Sequence, residues 1–222
     1  MNPRLIIITE DRGGKEGVDM LLSAIENGSA PRARFANAAV LLRLPSTTDG
    51  EYAGIVPRFL ERTRALGLSP MVHGLRGAEI VQHDLDVGVH FPERDWRILS
   101  RPFAPRCFIS AAVHDEEGAV SAAKLRPSGV LLGPIFRTPD KGIPLGLTYL
   151  RDVRRALHRE IMLFALGGVD QHNVESTFDS GADGVAVIRA VTDTADPSRA
   201  AATLLDAIAP LTSRSGVFER NR

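Results

Sequence analysis

Residues 161–190 read IMLFALGGVDQHNVESTFDSGADGVAVIRA. An apolar run at 161–167 ends in two glycines, a stretch of helical period follows at 171–180, and a second apolar run fills 184–188. Runs without polar alternation suit strands covered on both faces, and strands joined through a helix lie parallel. The segment therefore reads strand, helix, strand, and the same unit recurs along the rest of the chain. Strands are predicted at LIIIT (5–9), AVLLR (39–43), PMVH (70–73), VGVH (87–90), RCFIS (106–110) and GVLLG (129–133). Helices are predicted at 17–27, 49–66, 76–83, 94–100, 115–124, 146–158 and 198–209. Phe59, Leu60, Thr63 and Leu66 show the spacing of three and four that packs a helix on a sheet. Thr48 and Glu51 form a capping-box pattern, Asp170 is placed to cap the helix after Gly168, and Ser198 follows Pro197 at a helix start. Eight alternations predict an α/β fold, a single-domain (β/α)8 TIM barrel over residues 1–211. The unpatterned TSRSGVFERNR (212–222) is expected to be a flexible tail that frays or reaches a partner.

Lys plus Arg equals Asp plus Glu at 27 each, so no global field favours nucleic acid or an anionic membrane. Any anion site must be local. The lone cysteine, Cys107, rules out an internal disulfide, fits a reducing compartment, and is expected early in strand five as a small apolar filler. The five-residue apolar run before Glu10 is too short for a signal-peptide core, and no stretch approaches a membrane span. A cytoplasmic protein with no nucleic-acid or membrane partner is expected.

In such barrels the chemistry lies at the carboxyl ends of the strands, with a phosphate site after strands seven and eight. That filter selects Gly167 and Gly168, the backbone of Ile188 and Arg189, and Thr138 and Lys141 in GPIFRTPDKG (133–142) as an anion-holding set. It also selects His73, His90 and His114 near the ends of strands three, four and five, histidine being the usual proton carrier near neutral pH. These histidines and Asp95 could bind a metal, but no ligand pair has the spacing typical of a metal site. His83, His158 and His172 fall on helices and read as surface positions.

Three blocks carry a family resemblance: GVHFPERD (88–95), GPIFRTPDKGIPLGL (133–147) and ALGGVDQHN with SGADGVAVIRAV (165–173 and 180–191). The chain resembles thiamine-phosphate synthases and their TenI-like thiazole tautomerase relatives, which are (β/α)8 barrels. The resemblance implies a phosphorylated small-molecule substrate and a possible homodimer. In the synthases an aminopyrimidine diphosphate loses pyrophosphate, with magnesium, and is captured by a thiazole phosphate. Arg43 matches the arginine of the family's Q-L-R-(D/E)-K motif, but Leu41 and Pro45 stand where it has glutamine and lysine. The family's Asn-Asp pair becomes His73-Gly74, Asp95 keeps the second magnesium aspartate, and Asp140 replaces a threonine beside the retained Thr138 and Lys141. Ala112 stands where an S-x-H serine is usual, with His114 in register, and Ser110 would reach that place only through a bulge.

Departure of a diphosphate is catalysed mainly by electrostatics, each donor being worth roughly 3 kcal/mol, so these changes should weaken a synthase. The leading expectation is therefore a TenI-like tautomerase that aromatises a thiazole phosphate without metal. His114 would shuttle the proton, Thr138, Gly167, Gly168, Ile188 and Arg189 would hold the phosphate, and Arg43, Lys141 and His73 would face a second anion. The alternatives are a synthase using magnesium at Asp95, and a phosphometabolite-binding barrel without turnover.

Overall fold

A computed structural model describes residues 2–100, 107–139 and 141–215. Eight parallel strands close a barrel in sequence order, β1 (Leu5–Ile8), β2 (Ala38–Leu42), β3 (Ser69–His73), β4 (Gly88–Phe91), β5 (Ile109–Val113), β6 (Gly129–Leu132), β7 (Met162–Leu166) and β8 (Gly184–Val187). Helices α1 (Gly14–Asn27), α2 (Asp49–Ala65), α3 (Gly74–Ile80), α4 (Glu93–Trp96), α5 (Glu116–Ala123), α6 (Gly146–Ala156), α7 (Val174–Asp179), α8 (Arg189–Thr192) and α9 (Pro197–Ser215) form the connections and the outer layer. The predicted barrel is the observed one.

Successive strand residues point to opposite faces, which sorts the core into two parts. Ile6, Ile8, Ala39, Leu41, Met71, Leu131, Phe164 and Ala186 fill the lumen. Their neighbours Leu5, Ile7, Val40, Leu42, Val72 and Val130 pack outward under the helices. At the amino-terminal end, Asp183 joins three elements: its carboxylate accepts from Leu163 N–H and Arg154, both at 2.9 Å, and its carbonyl accepts from Arg4 at 2.8 Å.

The capping box of Thr48 and Glu51 is present in full, and the bonds from Thr48 hold the Glu51 carboxyl below its usual range. The other two caps need correction. Asp170 turns the chain by accepting from His172 N–H at 2.8 Å, and the helix begins only after Asn173. Asp196 accepts from Arg199 N–H at 2.9 Å at the start of α9, whereas Ser198 is buried and accepts from Ala30 N–H at 3.4 Å. Strand five also moves. It spans 109–113, not 106–110, so Cys107 precedes it, half-buried, with burial pushing its thiol pKa up. Helix α9 runs on to Ser215, four residues past the predicted tail boundary, and 216–222 lie outside the described residues. Two short elements were not foreseen, a 3-10 turn at Arg32–Phe35 and the four-residue α8.

Candidate functional site at the barrel mouth

The strand ends β2 and β3 carry Arg43 and His73, and a buried phenol fixes them relative to one another. Tyr52 Oη donates to Leu42 O at 2.9 Å and accepts from His73 N–H at 3.1 Å, and burial pushes its pKa up to about 12. Arg76 stacks 4.1 Å over the Tyr52 ring and donates to Leu44 O at 2.6 Å and Thr47 O at 2.8 Å, clamping the β2–α2 loop to α3. The backbone of Arg43 is locked to Thr9: its N–H donates to Thr9 Oγ1 at 2.9 Å, and its carbonyl accepts from the Thr9 hydroxyl at 3.2 Å. Its guanidinium has no acceptor among the described residues. Leu41, where the family has glutamine, is a lumen residue with no exposure, and Pro45 is exposed at the mouth.

His73 and His90 meet across β3 and β4, their rings 5.9 Å apart and tilted by 39°. Ser110 lies in line on β5, with no bulge, and its Oγ is 2.9 Å from His90 Nδ1. It thus sits one layer below Ala112 and supports His90. Burial, with the Arg43 charge, lowers the His73 pKa to about 4. Burial, with His73 and Arg43 beside it, lowers that of His90 to about 3. Both rings are therefore neutral at physiological pH, a pair of uncharged donors and acceptors on the barrel floor.

The consequence for stability has a definite sign. Both folded values lie below the 6.5 of an unperturbed histidine, so between 6.5 and about 4 the unfolded chain takes up protons that the folded chain refuses. Stability is fully present above that window and falls as pH drops through it, by up to about 1.4 kcal/mol per pH unit for each ring. Replacing His90→Gln should reduce the loss between pH 7 and pH 5 by about 2 kcal/mol, measured by urea unfolding at the two pH values. An unchanged loss would show that His90 is not its source.

On the opposite side of the mouth, GPIF is tied to the β7 turn. Ile135 N–H donates to Leu166 O and Phe136 N–H to Gly167 O, both at 2.9 Å. Gly167 and Gly168 have φ of 93° and 68°. A Cβ on Gly167 would fall 2.7 Å from Pro134 Cβ, and one on Gly168 2.7 Å from Phe136 Cβ. The glycines are thus required both by conformation and by the close approach of the loop. Among the described residues Thr138 Oγ1 is buried without a hydrogen-bond partner, a polar atom of the kind a ligand can satisfy. Beyond β8, Ile188 caps α8, and its carbonyl accepts from Val191 N–H and Thr192 N–H, both at 3.0 Å. Arg189 is half-buried and Lys141 is exposed, whereas Asp140 lies outside the described residues.

His114 follows β5 directly, with Nδ1 3.2 Å from Gly133 O and Nε2 3.7 Å from Glu93 Oε2, its side chain 61 % exposed. Glu93, Arg76 and the Ser110–His90 bond had no sequence signal of their own. Their partners come from neighbouring strands and loops, at separations that no periodicity marks.

Two cavities compete for attention. The larger, about 530 Å³, lies outside the barrel between α1 and α2, where Arg62 pairs with Asp19 at 2.8 Å and Glu26 at 3.3 Å and Arg58 pairs with Asp19 at 3.3 Å. Its charges satisfy one another. The smaller, about 210 Å³, opens at the barrel mouth between His73, Gly74, Arg94 and Asp95, beside the strand ends where this architecture places chemistry.

Comparison with known proteins identifies the family. The family model described as thiamine monophosphate synthase matches residues 8–191, which carry all eight strands but the first three residues of β1. The chain belongs to the thiamine monophosphate synthase family. It is 31% identical over 210 residues to the thiamine-phosphate synthase of Roseiflexus castenholzii, covering 91% of this chain and 87% of that one. It is 35% identical over 124 residues to that of Deinococcus radiodurans, covering 54% of this chain and less than half, 44%, of the relative. The solved thiamine phosphate pyrophosphorylase from Pyrococcus furiosus superposes with a TM-score of 0.72 at 25% identity, covering 94% of this chain and 96% of that one.

These relatives correct the leading expectation. They are named as synthases, so the tautomerase reading falls, and with it the metal-free proton shuttle assigned to His114. The departures from the family pattern at 41, 45, 74, 112 and 140 leave Arg43, Asp95, Thr138, Lys141 and the glycine turn in place. No helix among the described residues is long and apolar enough to cross a membrane.

The magnesium implied by the family meets an incomplete donor set. No three His, Cys, Asp or Glu side chains converge as metal ligands among the described residues. Asp95 offers one carboxylate, already accepting from Leu75 N–H at 3.0 Å, with Arg94 Nε 3.4 Å from its other oxygen. These residues do not form a resident magnesium site.

Proposed function

We propose that this barrel is a thiamine-phosphate synthase, coupling an aminopyrimidine diphosphate to a thiazole phosphate with release of pyrophosphate. What supports this most is the division of the mouth into two anion positions. The glycine turn of β7, with Thr138 and the start of α8, suits a monophosphate. The guanidinium of Arg43, without a described partner on the β2 side, suits a second and larger anion. A coupling of a diphosphate with a monophosphate needs both positions.

In this reading Gly167, Gly168, Thr138 and the Ile188 and Arg189 amides hold the thiazole phosphate. Arg43, Lys141 and His73 receive the diphosphate. The methylene–oxygen bond breaks with its electron pair leaving on pyrophosphate, and the lone pair of the thiazole nitrogen forms the new carbon–nitrogen bond. Fixed positive charge at Arg43 lowers the barrier by stabilising the charge that builds on the leaving group. The neutral His73–His90 floor lies under the heteroaromatic partner, and His114 contacts the substrates at the rim without a proton-transfer step of its own. The compartment proposed is the cytoplasm, where its single cysteine stays reduced.

The test is direct. Purified protein with both substrates and excess magnesium should yield thiamine phosphate and pyrophosphate in equal amounts. Saturable binding of both substrates with no product would sink the proposal and favour a binding barrel.

A further inference from the structure

Position 74 decides how a metal can reach this site. Gly74 has φ of 75°, and a Cβ there would lie 2.9 Å from Asp95 Oδ2. A second carboxylate at 74 would therefore need a left-handed backbone and would displace the first. The room it would occupy belongs to the mouth cavity, and the Asp95 side chain, 14 % exposed, is used otherwise. It holds the start of α3 through Leu75 N–H and faces Arg94. The other carboxylate at the cavity, Asp49, is largely solvated and lies 3.3 Å from Arg76. Two aspartates set against two arginines leave no net negative field to attract a bare dication. Magnesium is commonly held by one or two carboxylates, with the remaining ligands drawn from waters and substrate phosphates. Here the described residues supply one, Asp95.

Resting on the synthase reading above, we propose that the free protein holds no resident divalent cation and takes one up only as its complex with the diphosphate substrate. The cation then balances the substrate's charge and not the protein's, with Asp95 as its single protein contact. Linkage makes the effect reciprocal: the metal tightens diphosphate binding by the factor by which diphosphate tightens the metal.

Manganese, followed by its electron paramagnetic resonance, and inorganic pyrophosphate, followed by calorimetry, test this on the full chain without turnover. Expected are no manganese bound to the free protein at micromolar concentration, uptake of one equivalent when pyrophosphate is added, and pyrophosphate affinity raised about tenfold or more by manganese. Asp95→Asn should weaken the ternary complex and reduce the gain in pyrophosphate affinity that manganese gives. One equivalent of manganese bound tightly by the free protein would overturn the inference, as would equal pyrophosphate affinity with and without metal; in both cases the synthase reading stands. Failure to bind pyrophosphate under either condition would instead remove that reading, and the inference with it.

Discussion

Arg43→Ala should lower kcat for the coupling reaction by about 100- to 1000-fold while leaving the barrel as stable as before. The two effects separate because the side chain and the backbone of this residue do different work. Its N–H and carbonyl are fixed by the Thr9 hydroxyl, which the substitution leaves in place. Its guanidinium has no acceptor among the described residues, so truncation orphans no carboxylate there. Removing its charge also removes part of what keeps His73 and His90 neutral, so their pKa values should rise toward 6.5. What is lost is positive charge fixed at the end of β2, where the proposed reaction has pyrophosphate accumulate charge as it departs. Arg43→Lys should recover part of the rate, since an ammonium keeps the charge but not the two-pronged geometry. Steady-state kinetics and urea unfolding of the same preparations provide the check. A rate within threefold of the parent in Arg43→Ala would place the diphosphate elsewhere.

Gly168→Ala is the second large effect, and it should strike folding and phosphate binding together. A left-handed backbone costs a residue with a Cβ about 1–2 kcal/mol. The added methyl would also lie 2.7 Å from Phe136 Cβ and 2.9 Å from Arg137 O, so the GPIF loop must shift, at a further cost of about 1–3 kcal/mol. That loop carries Thr138, so KM for the thiazole phosphate should rise along with the loss of stability. Gly142→Ala is the control within the same loop, because a Cβ there meets nothing within 4 Å. It should be neutral by both measures. Equal behaviour of the two variants would mean that contact between the glycine turn and the loop does not shape the cradle.

The barrel was legible because its strands are buried on both faces and its helices are not, so period and apolarity change together at each boundary. Strand five was misplaced because Cys107, Phe108 and Ile109 form the more apolar run, whereas the true strand continues through Ala111 and Ala112, whose small side chains carry little signal. Helix α7 begins late because the turn made by Asp170 and Asn173 takes up residues that looked helical. At the site, the glycine turn and the strand-end histidines could be found by position alone. The clasp of Arg76 and the support of His90 by Ser110 join residues about 20 to 30 apart, and only the closed barrel brings them together. The activity was misjudged for a related reason. The departures at 41, 45, 74, 112 and 140 touch single positions, whereas the family match extends over residues 8–191.

The pairing of β1 with β8 has a consequence for how the molecule is made. Leu5 lies beside Val185 and Ile7 beside Val187, with Arg4 reaching Asp183 across 179 positions of sequence. On the ribosome, the edge of β1 that faces β8 has no partner until β8 itself has emerged. Throughout that interval LIII is an open apolar edge, the kind of template on which nascent chains stick to one another. The seam that completes the finished barrel is therefore the last to be covered during synthesis, and a chaperone would have most to protect there.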